Sequence, residues 1–167
     1  FRGSSSFFPP AGVGGGFPPL AHQKSAGLCR VLGCTGRGAC LGLRLVLPVM
    51  IDRKGGSIIN MSSIAGLQGS PNVAPYITSK HAMVGLTRAA AIEAAPFGVR
   101  VNSVHPAPIN TRMMRSLEEG FNPGHGAEVK QGLETSIPLG RYGESLDVAR
   151  LGLFLAREET YFPSLLQ

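Results

Sequence analysis

Gly55-Gly56-Ser57-Ile58-Ile59-Asn60-Met61-Ser62-Ser63 is the stretch on which the architecture turns. Two glycines open an apolar, β-branched run and two small hydroxyl residues close it. This predicts a strand over 57–61 that carries Ser63 to its carboxyl end. Downstream, 62–75 reads as a loop, and 76–95 as a long helix, rich in alanine at Ala89-Ala90-Ala91 and stopped by Pro96-Phe97-Gly98. Val99-Arg100-Val101-Asn102-Ser103-Val104 then alternates and β-branches, a second strand. Strand, helix and strand at this spacing imply parallel pairing through a right-handed crossover, hence an α/β fold. Upstream, Asp52-Arg53-Lys54-Gly55-Gly56 is a turn by composition. Before it, 39–50 is apolar apart from Arg44 and suits a helix packed on the sheet.

The helix carries the chemistry. Tyr76 and Lys80 stand at i and i+4, so they share one helix face, and Ser63 lies at the strand end where active sites of open parallel sheets are built. An unperturbed phenol has a pKa of about 10 and is a poor acid–base group near neutrality. A fixed ammonium beside it is expected to bring that value toward working pH. The arrangement points to proton transfer.

In order and spacing, the run from Gly55 to Gly66, the segment from Tyr76 to Lys80, and Gly98-Val99-Arg100-Val101-Asn102-Ser103-Val104-His105-Pro106 closely resemble the short-chain dehydrogenase/reductase family. The resemblance covers about 35–162 and corresponds to the second half of a usual member. It implies an incomplete doubly wound parallel sheet of the Rossmann-like type, truncated at both ends. It also implies NAD(P)-dependent hydride transfer on a small alcohol or ketone, with NAD and NADP indistinguishable. Ser63 would hydrogen-bond the substrate oxygen, Tyr76 would transfer the proton, and Lys80 would lower the Tyr76 pKa and hold the nicotinamide ribose. Pro106-Ala107-Pro108-Ile109-Asn110-Thr111 resembles the segment that lies against the nicotinamide, which assigns Pro106, Ile109 and Thr111 to the cofactor. Ala107 replaces a glycine there and would be strained if a positive φ were required. Thr35 stands where the family places an asparagine that supports a water relay to the lysine, and it lacks the amide's paired donor and acceptor. The resemblance further implies a homo-oligomer formed through the helices 39–50 and 76–95. The stretch 112–131, polar and broken by glycine, is expected to be a mobile lid over the substrate, and the helix after Asp147 to run on through 151–156.

The resemblance also defines what is missing. The family's opening strand, glycine turn and helix, which hold the cofactor pyrophosphate on backbone amides, have no counterpart here. Residues 1–30, with doubled prolines and a glycine run, are expected to form a flexible, disordered Pro/Gly-rich arm without a ladder or core, followed by a partial domain over 31–162 and a divergent tail at 163–167. Gly12-Val13-Gly14-Gly15-Gly16-Phe17 fails the phosphate-loop spacing at Phe17. Gly36-Arg37-Gly38-Ala39-Cys40-Leu41-Gly42 fits it, but the next strand ends without the acidic residue a ribose needs, and a helix preceding the catalytic strand suits it better. With the phosphate-holding part missing, the competing expectation is a catalytically inactive fragment or pseudoenzyme acting as a dimerisation or interaction module, with one sheet face and one edge uncovered.

Composition adds boundaries. At 167 residues and 43% apolar content the chain suits a single domain with a modest core. The net charge of +6 comes from scattered basic residues, with no acidic residue before Asp52, so no nucleic-acid stripe is expected. No segment is expected to span a membrane. The 3 cysteines, Cys29, Cys34 and Cys40, have no metal-site spacing and suit reduced thiols in the cytoplasm. His105, beside the site, is expected to be structural, and no metal site is predicted.

Overall fold

The computed structural model describes residues 5–7 and 17–157. The Pro/Gly-rich 8–16 and the tail 163–167 lie outside the described residues. The 3-stranded sheet is parallel throughout, in the order β1-β2-β3, with β1 spanning Ser6–Phe7, β2 Gly56–Met61 and β3 Val99–Val104. β2 and β3 pair from Gly56↔Val99 to Met61↔Val104, so both strands end level, at the edge where Ser63 and Pro106 emerge.

Strand alternation divides the core. Ile58, Val99 and Val101 pack on one face against Leu43, Met50, Ala90, Ala91 and Ala94 from two helices, α2 (Gly38–Asp52) and α3 (Ala74–Ala94). Ile59 and Val104 face the other way and meet Leu155 of α6 (Ser145–Ala156). Both faces of the sheet therefore carry helices, which corrects the expectation of an uncovered face. Ser57 Oγ and Arg100 Nη1 both donate to the Leu155 carbonyl, at 2.8 and 2.9 Å, and tie the end of α6 to the strands.

Three readings from composition are corrected. Ser6 and Phe7 do sustain a ladder, pairing with Ser57 and Ile58. The Phe7 ring lies where a side chain at Gly42 would sit, with a Cβ there only 2.7 Å from the ring, so the glycine at 42 makes room for β1 rather than for a phosphate. Position 31, where composition draws a boundary, falls inside α1 (Ser25–Leu32), which continues through a π-helical turn, Gly33–Arg37, into α2. The helical run Ser25–Asp52 is, by length and composition alone, apolar enough to cross a membrane, contrary to the sequence expectation. Val31, Ala39, Leu43 and Met50 along it are nonetheless buried in the protein. The stretch 112–131, expected as a lid, is held in two helices, α4 (Arg112–Phe121) and α5 (Gly126–Ser136).

Candidate active site

The site is built where β2, β3 and α3 meet. α3 buries Ser79 and Lys80, then Met83 and Val84, Thr87, Ala90 and Ala91, and Ala94, a stripe at helical spacing that lays the helix along the sheet. Asn60 Nδ2 donates to Thr87 Oγ1 at 2.9 Å inside that contact. One turn of sheet further on, Ser62 Oγ donates to the Lys80 carbonyl at 3.1 Å, and Lys80 Nζ donates to the Met61 carbonyl at 2.9 Å. Strand end and helix are thereby stitched in both directions, which fixes Ser63 relative to Tyr76.

Ser63 caps a short 3-10 turn, Ile64–Gly66, and its Oγ accepts the Ala65 backbone N–H at 3.2 Å. Gly66 lets this turn lie on α3, since a Cβ there would stand 2.8 Å from the Lys80 carbonyl oxygen. From the other strand, Ile64 N–H donates to the Pro106 carbonyl at 3.0 Å. His105 sits between strands: its Nδ1 is 3.1 Å from the Ser63 carbonyl, and its Nε2 is 2.9 Å from Ser103 Oγ. Because a carbonyl can only accept, Nδ1 carries the proton, and the ring holds the Ser63 backbone. Its structural expectation thus acquires a specific content.

The segment after β3 is latched as well. Gly143 N–H donates to the Pro108 carbonyl at 3.0 Å, and Asn110 N–H to the Gly143 carbonyl at 2.8 Å. Thr111 caps α4, its Oγ1 accepting the Met114 N–H at 3.3 Å, which leaves the hydroxyl proton to be donated into the cleft. Ala107 carries no strain, since Lys54 and Asn72 are the non-glycine residues with positive φ among those described.

Ser63, Tyr76, Lys80, Pro106, Ile109 and Thr111 all line one cleft of about 460 Å³. α4 supplies a wall that sequence reading missed, Met113, Met114 and Leu117, and Val148 of α6 adds to it. Their i, i+1, i+4 spacing on an amphipathic helix was a usable signal, hidden by the polar and glycine residues around it.

Electrostatics depart from the expected acidification. Lys80 is 1% exposed, and burial pushes its ammonium down to about 8. Burial raises the Tyr76 phenol above its ordinary 10.0, opposed by a hydrogen bond with Ser63. Lys80 Nζ lies 5.5 Å from the Tyr76 ring centroid and donates to the Met61 carbonyl, and burial outweighs the Ser63 hydrogen bond in setting the phenol. Thr35, in the π-helical turn, is buried with no protein partner for its hydroxyl. The glycines at 36, 38 and 42 are helical, so they present no helix N-terminus to a phosphate.

Comparison with known proteins supplies the context. The family profile described as Enoyl-(Acyl carrier protein) reductase matches residues 8–163. The chain is 42% identical to trans-4-hydroxycyclohexanecarboxylate dehydrogenase of Sinomonas cyclohexanicum over 125 residues, covering 75% of this chain and 43% of that protein. It is 31% identical to levodione reductase of Leifsonia aquatica over 156 residues, or 93% and 58% of the two chains. A crystal structure of levodione reductase superposes with a TM-score of 0.92 at 30% identity, covering 95% of this chain and 61% of that one. NAD+-bound xylitol dehydrogenase superposes with a TM-score of 0.88 at 31% identity, covering 96% and 65%. The chain spans about half the length of the curated relatives it matches.

Proposed function

Because this chain belongs to the short-chain dehydrogenase/reductase family, we propose that its cleft carries out NAD(P)-dependent hydride transfer between an alcohol and a ketone. The convergence of Ser63, Tyr76 and Lys80 with Pro106, Ile109 and Thr111 on one cleft carries this reading. The residues at the nicotinamide end fit the cofactor: Thr111 has a proton to donate, Lys80 Nζ stands at the mouth of the strand end, and Pro106 and Ile109 offer a flat apolar wall. The nicotinamide, when bound, supplies or accepts the hydride at the reacting carbon.

The protein's own part is proton management. Ser63 Oγ and the Tyr76 hydroxyl converge on the position of a substrate oxygen. With its pKa raised, Tyr76 is protonated near neutrality and can give its proton to a carbonyl oxygen as that oxygen gains negative charge. The Ser63 hydroxyl stabilises the phenolate left behind, and Lys80, with a pKa near 8, can return a proton to it. Tyr76→Phe deletes the donor while keeping the ring; kcat for ketone reduction should fall by about 10²–10⁴ with KM little changed. A comparable rise in KM with kcat unchanged would remove Tyr76 from the reaction.

We assign the chain to the cytoplasm, on its odd number of cysteines, and to a homo-oligomer, on an exposed stripe of α2. Leu41, Leu45 and Val49, at i, i+4 and i+8, are 45%, 74% and 49% exposed, and Ile92 of α3 is 76% exposed. The same stripe favours a second reading, an interaction module without turnover. A folded oligomer that binds neither NADH nor NADPH would select it.

A further inference from the structure

We propose that the cleft takes a compact, uncharged and otherwise apolar ketone or secondary alcohol, in which the reacting oxygen is the main polar group. This rests on the oxidoreductase reading of the same site and narrows it. The wall facing Ser63 and Tyr76 is made of Met113, Met114, Leu117 and Val148, with Ile64 at its rim. α4 turns its charged side away: Arg112, Arg115 and Glu119 line a separate surface hollow. Among the described residues lining the cleft Lys80 is the one cation, and its ammonium is anchored to the Met61 carbonyl at the strand end and given to the cofactor side. A substrate carboxylate or phosphate thus meets no guanidinium or ammonium on the α4 wall, and leaving water unpaired is costly for an ion.

Neutral polyols fare little better. Ser63 and Tyr76 are needed at the reacting oxygen, Thr111 at the cofactor end, and Ser62 Oγ donates to the Lys80 carbonyl, so Ser145 is the remaining side-chain hydroxyl of the lining. Each further hydroxyl on the substrate would enter a methionine and leucine surface without a partner. Size is limited too. With Pro106 and Ile109 given to the nicotinamide, part of the 460 Å³ is already taken, and the remainder suits a single small ring or a short branched chain. Methionine side chains fit such shapes by changing rotamer, so they accept several apolar outlines while still rejecting charge.

The test uses the full chain with three probes, cyclohexanone and 4-oxocyclohexanecarboxylate with saturating NADH or NADPH and the alcohol xylitol with saturating NAD+ or NADP+, with binding read by saturation-transfer NMR and turnover by nicotinamide absorbance. Cyclohexanone should bind at least about tenfold more tightly than either polar probe, which is what one mispaired polar group is worth. Met113→Lys should reverse the order between cyclohexanone and 4-oxocyclohexanecarboxylate by placing an ammonium on the wall. Leu117→Ala, a milder change on a half-buried residue, should weaken cyclohexanone several-fold and leave xylitol unchanged. Preference for xylitol or the carboxylate by the unaltered chain would overturn the proposal, whether or not turnover occurs. Cyclohexanone binding without turnover would sustain the apolar cleft and count against the oxidoreductase reading, whereas turnover confined to polar probes would do the reverse.

Discussion

Lys80 is the residue on which most of the site's physics falls. Its ammonium is buried and held at about 8, against 10.5 in the unfolded chain, so between those values the unfolded state binds more protons than the folded one. Stability must then rise with pH through this window. Near neutrality the buried charge costs the fold about 3 kcal/mol, at roughly 1.4 kcal/mol for each unit of pKa. That cost fades as pH passes about 8. Tyr76 acts oppositely, because a raised phenol favours the unfolded state above pH 10, which leaves the range from 8 to 10 as the clean one. Urea denaturation at pH 7 and 9.5 should show the wild type gaining on the order of 1–2 kcal/mol at the higher pH. Lys80→Met should abolish this gain while keeping the buried stem. A parallel rise in the variant would mean that the ammonium titrates as a solvated lysine.

At the scale of elements, the site depends on the close approach of the Ser63 turn to α3. Gly66→Ala puts a Cβ against the Lys80 carbonyl, backbone on backbone, where neither partner can swing aside. The expected cost is about 1–3 kcal/mol, together with a displaced Ser63. Thermal unfolding and turnover should therefore fall together; a variant of unchanged melting temperature would show that the turn is not pinned there. What sequence could read follows the same physics. β2, β3 and α3 are legible because each buries a face, and Ile58, Ile59, Val101 and Ala91 print that burial as period 2 or period 3.6. The cleft residues are legible because strand ends and helix spacing fix them. The start of α1 is not, since Gly27, Gly33 and Gly36 have poor helix propensity and tertiary contact holds the helix instead. Neither is β1, which is too short to show alternation and is placed by Phe7 packing over Gly42. Tyr76's raised pKa was hidden as well. Proximity in sequence suggested an ammonium beside the phenol, while burial decides the direction of the shift.

For the molecule as a whole, the exposed stripe of α2 is the feature that a lone chain does not explain. Leu41, Leu45 and Val49 lie along one helix side, opposite the buried Leu43 and Met50. If the proposed oligomer covers this stripe, sedimentation should show a dimer or larger species that Leu45→Lys dissociates without loss of secondary structure. A wild-type monomer at micromolar concentration would dismiss the stripe as an interface. The same preparation allows the most direct test of the cleft itself, a titration with NADH and NADPH followed by nicotinamide fluorescence, with Lys80→Ala alongside. Saturable binding that weakens at least about tenfold in Lys80→Ala is the predicted result, since a hydrogen bond to a charged group is worth about 1.5–3 kcal/mol. A folded chain that binds neither nucleotide, or binds one with an affinity indifferent to Lys80, would contradict a nicotinamide site at the end of β2.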